Sequence, residues 1–427
     1  MLSQLVRGPL LVPHPGGAVD YHPDGVLAAD ADGVLLYAGS WSGLRCQLGD
    51  DVPPVRPADG VMLPPFLDLH THVPQHPIRG HFVDGVADDA PGGKLLAGLN
   101  RNVFPTEAKC HDQAHAERVT RGFAADTLAH GVVGGAAYMT VSAAATEAAL
   151  NVLPAAWSVG MVLMNQNCPL DLRTNEPALE ADHERLAARF GQRVIVTDRF
   201  AVAVDSPLRR RAAALAGRLG LRTQTHLNEQ MAEKSFVETG LYPNAGSYTD
   251  VYRRDGLLAH RCILAHCIQM RPDEWAIVHE TGSVVAHCPT SNLLLGSGVM
   301  PLDEVLDRGI PYAIATDVGA SPTVSLLAEM KRFLTVHAGR STRATPTEAL
   351  YRTTLAPAEI LGLDGQFGRL AAGRPMSFVE VARAEPAAGV AGGVTADDII
   401  RSLLPADVDR PAAAVRRVTI NGKTVSH

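Results

Sequence analysis

From residue 61 onward the chain alternates short apolar runs with stretches punctuated as helices, and this alternation restricts its fold more than any other feature. The runs cover 61–69, 131–138, 157–164, 193–197, 222–225, 262–265, 283–286 and 311–316. Eight strand-like runs with intervening helices predict a closed parallel (β/α)₈ barrel. Such a barrel takes ~250 residues, so a chain of 427 residues has room for one smaller accessory unit. The two ends have a different texture. Residues 1 to 60 carry Gly, Pro and Asp between short apolar runs. The chain beyond Leu363 is again Gly-rich and closes with the hairpin turn signal Asn421-Gly422. The expected organisation is a small β domain built from 1–62 and 365–427, flanking a barrel over 63–364.

The helices carry local stop and start signals. Ser206 followed by Pro207 is expected to cap a helix that ends near Gly220, and Thr345-Pro346-Thr347-Glu348 reads as a capping box with a first-turn proline. Arg209-Arg210-Arg211 lies on the first of these helices and reads as a solvated face. With a net charge of −7 and no longer basic run, nucleic acid is not expected as a partner. Hydrophobic residues make up 46% of the chain, enough to bury a sizeable core, yet no run approaches the ~18 apolar residues of a membrane span. The six cysteines form no CxxC pair, so reduced thiols in a cytoplasmic protein are expected, with no membrane partner.

The chemistry begins at Phe66-Leu67-Asp68-Leu69-His70-Thr71-His72, a strand that ends in two histidines one residue apart. Side chains two apart on a strand project to the same side, so His70 and His72 can face one ion. Barrel active sites form at the carboxyl ends of strands, where these two fall. A bare HxH also describes two surface histidines. Three further strand ends change that reading: Thr225-His226, Ala265-His266 and Ala315-Thr316-Asp317. Together they bring three or four nitrogen donors and a carboxylate into one mouth, a set suited to Zn²⁺ and also to Fe²⁺ or Ni²⁺.

Over nearly its whole length the chain resembles the amidohydrolase superfamily and, within it, the guanine deaminases. The resemblance runs through residues 66–75 (FLDLHTHVPQ), Phe104-Pro105-Thr106-Glu107-Ala108-Lys109, Arg199-Phe200 and His226-Leu227-Asn228-Glu229. It continues in Tyr248-Thr249-Asp250-Val251-Tyr252, Ala265-His266-Cys267, His287-Cys288-Pro289-Thr290-Ser291-Asn292 and Thr316-Asp317-Val318. It implies that His70, His72, His226 and Asp317 hold a metal ion, that Glu229 shuttles protons, and that His266 hydrogen-bonds the attacking water beside catalytic Asp317. Gln75, Arg199, Phe200 and His266 would contact the purine. Two-metal members carry a lysine at the fourth strand end, whereas this chain reads Val196-Thr197-Asp198-Arg199, so one ion per chain is implied, Zn²⁺ or Fe²⁺ in its place. The implied reaction takes guanine and water to xanthine and ammonia through a metal-bound hydroxide, in a homodimer. Bound Zn²⁺ lowers the pKa of water from 15.7 to about 7. Glu229, three residues past His226, is close enough to receive that proton.

Arg199 offers only donors and suits a carbonyl, while the Gln75 amide offers both kinds and suits a ring edge. The chain departs from the family pattern where 95–100 reads Leu-Leu-Ala-Gly-Leu-Asn instead of carrying a Trp; Ala97 and Gly98 are expected to leave room near the pocket. It departs again at Val318-Gly319-Ala320-Ser321, at Pro375-Met376-Ser377, and at Asp198, which raises the question whether Asp198 captures the Arg199 guanidinium. Neighbours on a strand point to opposite faces, so it need not. Competing readings are deamination of a modified purine, pterin or triazine, opening of a cyclic amide, and a non-catalytic barrel that only binds. An intact ligand set with Glu229 argues against the last, because buried unpaired charge is costly. His76, His81, His260 and His279 read as surface or satisfied histidines, and His287 as a candidate to support the site from behind. Gly422-Lys423-Thr424 is no phosphate loop, since Arg417 stands where that loop needs glycine. The absence of an H-x-E with P-C-x-x-C excludes the other zinc deaminase fold.

Overall fold

The structure is a computed structural model that describes residues 2–49, 53–87, 89–90, 93–384 and 393–425. The chain divides into two compact units, one of Met1–Leu67, Ala125–Val133 and Ser325–His427, the other of Asp68–Ala124 and Gly134–Val324.

The first unit holds a mixed sheet to which both chain ends contribute. Its strands run in the order Lys423–Val425, Val415–Ile420, Phe378–Val381, Val61–Leu63, Gln4–Pro13, Val19–Ala29, Leu35–Ser40, with Arg56–Pro57 beside Gln4–Pro13. Alternate residues face inward, and Leu10, Leu27, Leu35, Met62, Met376 and Phe378 form a buried cluster. Met376, in a stretch that departs from the family pattern, is thus a core residue. Asn421 and Gly422 sit at φ of 51° and 74°, the conformation a two-residue hairpin turn demands, and join two antiparallel strands.

The second sheet is built of parallel strands. Among the described residues they are β1 (Phe66–His72), β2 (Val132–Tyr138), β3 (Trp157–Leu163), β4 (Val194–Asp198), β5 (Arg222–Leu227), β6 (Ile263–His266), β7 (Val284–His287) and β8 (Tyr312–Ile314), paired in sequence order. The ring is closed by backbone: Asp317 N donates to His70 O at 2.9 Å and His72 N donates to Val318 O at 2.6 Å. A buried side chain reinforces that seam. The Asp68 carboxylate accepts from Thr316 N at 3.1 Å, from Thr316 Oγ1 at 2.5 Å and from His70 N at 3.2 Å. Burial pushes its pKa up to about 6, against the pull of the Thr316 hydrogen bonds.

Each expected strand overlaps an observed one, with three local corrections. The run 61–69 is not one strand: Val61–Leu63 pairs in the first sheet, and β1 starts afresh at Phe66. The helix Ser206–Leu219 is capped by Asp205, whose side chain accepts from Leu208 N at 2.9 Å, while Ser206 Oγ donates to Asp255 instead. Arg209 is not on a solvated face. It is fully buried, with Nε 2.9 Å from Asp198 Oδ2 and Nη1 2.8 Å from Asp255 Oδ2; Arg210 and Arg211 do face solvent. Successive residues on a helix point ~100° apart, so a run of three arginines can turn one of them inward. All six cysteines are free. No helix among the described residues is long and apolar enough to cross a membrane.

Candidate metal and substrate site

The carboxyl ends of β1, β5 and β6 and the residues after β8 converge on one cleft. Ligand-type atoms of His70, His72, His226 and Asp317 lie within 4.8 Å of one another. Asp317 Oδ1 is 3.2 Å from Nε2 of both His70 and His72. The Nε2 atoms of His72 and His226 are 3.3 Å apart. Burial drives the His70, His72 and His226 pKa values down, that of His72 to about 3, so these imidazoles are neutral at pH 7. The His226 tautomer follows from its partner: Nδ1 is 2.6 Å from the Arg199 carbonyl, which only accepts, so Nδ1 carries the proton and Nε2 the lone pair. Lone pairs of buried imidazoles then converge on a carboxylate, and the ring nitrogens of His70 find no hydrogen-bond partner. That is an arrangement a divalent cation satisfies, and the donor set of three nitrogens and one oxygen fits Zn²⁺.

Neighbours fix these ligands. Ser291 Oγ donates to Asp317 Oδ2 at 2.5 Å and so orients the carboxylate. Asp317 itself stands at φ 53°, tied by its N–H to His70 O. The Tyr138 ring packs at 4.9, 4.6 and 4.9 Å from the rings of His70, His72 and His226.

Glu229 is buried at the same cleft, its Oε1 accepting from Ser297 Oγ at 3.1 Å and its Oε2 3.5 Å from His266 Nε2. Burial, with the Asp317 charge adding to it, raises its pKa to about 8. His266 points Nδ1 at Asn292 Oδ1, 2.9 Å away, an acceptor that leaves Nε2 toward Glu229.

The residues expected on the substrate side share the lining of this cleft. Gln75, Arg199 and Phe200 line the cleft together with Phe82, Leu95, Leu99 and Leu295. Asp198 does not capture Arg199: it pairs with Arg209 and accepts from Thr225 Oγ1 at 2.8 Å, while Arg199 Nη1 binds Glu107 at 2.7 and 2.8 Å. The room expected at Ala97 and Gly98 is absent. A Cβ on Gly98 would meet the Phe82 ring at 2.7 Å, and Leu95 and Leu99, not Ala97, face the cleft. These leucines are delivered by a helical stretch that widens to i→i+5 hydrogen bonding over Leu99–Val103 before Phe104–Ala108 carries Glu107 inward. Tyr248 and Tyr252 hydroxyls both accept from Ala201 N, at 3.2 and 2.9 Å, and so hold the segment after Arg199 and Phe200.

His81 and His279 are exposed, His260 is half-buried, and His76 is buried edge-on to Phe123. His287 is buried at the end of β7. Sequence reasoning assigned no role to Glu107, Tyr138, Ser291, Asn292 or Ser297. Glu107, Ser291 and Asn292 stand inside segments that carry the family resemblance, which was the available signal; Tyr138 and Ser297 carried none.

The profile of the Amidohydrolase family matches residues 61–425. The chain is 30% identical over 375 residues to the guanine deaminase of Escherichia coli (strain K12), covering 85% of this chain and 82% of that protein. It is 32% identical over 378 residues to the probable guanine deaminase of Deinococcus radiodurans, covering 85% and 83%. The solved structure of the E. coli guanine deaminase superposes with a TM-score of 0.84 at 26% identity, over 100% of this chain and 99% of the other. With its ligand-type residues gathered at the carboxyl ends of a (β/α)₈ barrel, the chain belongs to the amidohydrolase family and within it is guanine deaminase-like.

Proposed function

We propose that this chain hydrolyses guanine to xanthine and ammonia, using one zinc ion held by His70, His72, His226 and Asp317. The observation that carries this reading is that the ligand cluster, Glu229 and the Gln75 and Arg199 side chains open into a single cleft. Similarity to proteins named as guanine deaminases supports the choice of ring. When bound, the ion supplies a Lewis acid that brings the pKa of water from 15.7 to about 7.

The chain's own groups do the rest. Glu229, its pKa raised to about 8, takes one proton from the attacking water and gives it to the ring nitrogen as the C–O bond forms; the second water proton goes to the amine as the C–N bond breaks and ammonia leaves. His266, fixed by Asn292, directs Nε2 to the same region and orients the water. Arg199 directs N–H groups at the ring carbonyl, Gln75 meets the ring edge, and Phe200 packs on the ring. Leu95, Leu99 and Leu295 keep bulk water away, which strengthens each polar contact. Adenine sets an amino donor against the Arg199 donors, and a site left with buried polar groups unpaired rejects such an analogue by ~10⁴.

The test is ammonia release measured with guanine, adenine, cytosine and a pterin. Guanine turnover with little from adenine is the expected result. Adenine or cytosine hydrolysed as efficiently as guanine would overturn the assignment.

A further inference from the structure

Glu107 joins the two polar residues of the substrate wall. It is fully buried; Oε1 accepts from Gln75 Nε2 at 2.9 Å, and both oxygens accept from Arg199 Nη1. A carboxylate accepts hydrogen bonds and does not donate them. Gln75 must therefore turn its amide nitrogen toward Glu107, which leaves Gln75 Oε1 buried at the cleft with no hydrogen-bond partner in the protein. Gly319 presses on Gln75 so closely that a Cβ there would come within 2.7 Å of Gln75 Cβ, so the glutamine cannot retreat on that side. Arg199, anchored to Glu107 through Nη1, also lines the cleft.

We infer that Glu107 is a positioning residue that sets this wall as one acceptor beside one donor, the complement of a ring lactam, in which an N–H adjoins a carbonyl. The inference rests on the guanine reading for the identity of the ring and adds the edge by which that ring is chosen. Guanine carries the lactam. Adenine carries the same edge with both polarities reversed, a bare ring nitrogen beside an amino donor. 2-Aminopurine keeps the amino group to be removed but has neither the N–H nor the carbonyl. Glu107 does not line the cleft; it acts through Gln75 and Arg199.

The experiment measures kcat/KM for guanine and for 2-aminopurine in the wild type, Glu107→Gln and Glu107→Asp, with metal content and Tm recorded for each. Glu107→Gln puts an NH₂ group against Gln75 or Arg199 and frees the amide to turn. Glu107→Asp keeps the charge for Arg199 but is one methylene shorter, so it remains informative if the neutral variant does not fold. Guanine kcat/KM should fall by ~10²-fold and 2-aminopurine by less than ~10-fold, the loss expected when a fixed polar complement is released. A merely structural role would lower both substrates by the same factor, and an unchanged ratio in the folded variants overturns the inference. Wild-type protein that turns over neither purine overturns the proposed function instead. In that case the ratio of dissociation constants from calorimetry decides: its collapse in the variants supports the inference, and an unchanged ratio overturns it.

Discussion

In the proposed mechanism Glu229 owes its usefulness to where it is buried. A carboxyl at an ordinary pKa would stay ionised at pH 7 and give up no proton, whereas one at about 8 exchanges protons near neutrality. Glu229→Gln should keep the metal and the fold while lowering kcat by ~10²–10⁴-fold, the usual worth of a placed acid/base; full activity would remove Glu229 from the mechanism. His70→Ala and Asp317→Ala should each lose most of the bound ion, read by elemental analysis against about one per chain in the wild type. Two ions per chain would contradict a single-metal centre. Arg199→Ala has two costs, a lost donor to the carbonyl and an unpartnered Glu107 carboxylate. Its loss in kcat/KM should fall mainly on carbonyl-bearing rings, and an unchanged value for guanine would refute the role. Most of these residues were legible in the sequence, because their types are ligand or acid/base types and they follow apolar runs. Glu107, Ser291, Asn292 and Ser297 were not, since each touches another residue of the site, and any Glu, Ser or Asn can do that.

Elements show a second kind of burial, in which charge holds one piece of secondary structure to another. Arg209 sits on the helix Ser206–Leu219 yet reaches Asp198 at the end of β4 and Asp255 beyond the helix Tyr248–Arg254. This arrangement engages Asp198 and leaves its neighbour Arg199 to Glu107. Removing one partner of a buried ion pair typically costs about 3–5 kcal/mol, because the other charge is left uncompensated. Arg209→Met should therefore lower unfolding stability by about that amount in urea titration, where Arg210→Met on the exposed side should change it by less than about 0.5 kcal/mol. Asp205→Ala should cost about 1 kcal/mol through loss of the cap on the same helix. A comparable loss from Arg210→Met would mean that the buried position is not what distinguishes Arg209.

At the scale of the molecule, the candidate metal cluster draws on strand ends far apart in the chain, so a bound ion would stabilise the barrel by an amount that grows with the logarithm of its concentration over Kd. A ligand present at 100 times its Kd adds about 2.7 kcal/mol. Removing metal with a chelator should lower Tm measurably, and adding Zn²⁺ back should restore it; a Tm indifferent to chelation in protein shown to have lost its ion would place the cluster outside the folding balance. The sequence by itself determined the strand positions, the alternation with helices and the residue types at the strand ends, because burial on both faces and local turn chemistry are written into neighbouring residues. It also determined that both ends are β segments, although the split of 61–69 between two sheets was invisible in one continuous apolar run. Only the tertiary structure decided which charges are buried and with whom. Glu107 and Arg199 are 92 residues apart, Arg209 and Asp255 46, Asp68 and Thr316 248. Such pairs exist only once the barrel has closed and water has been excluded between them, and no local period records that.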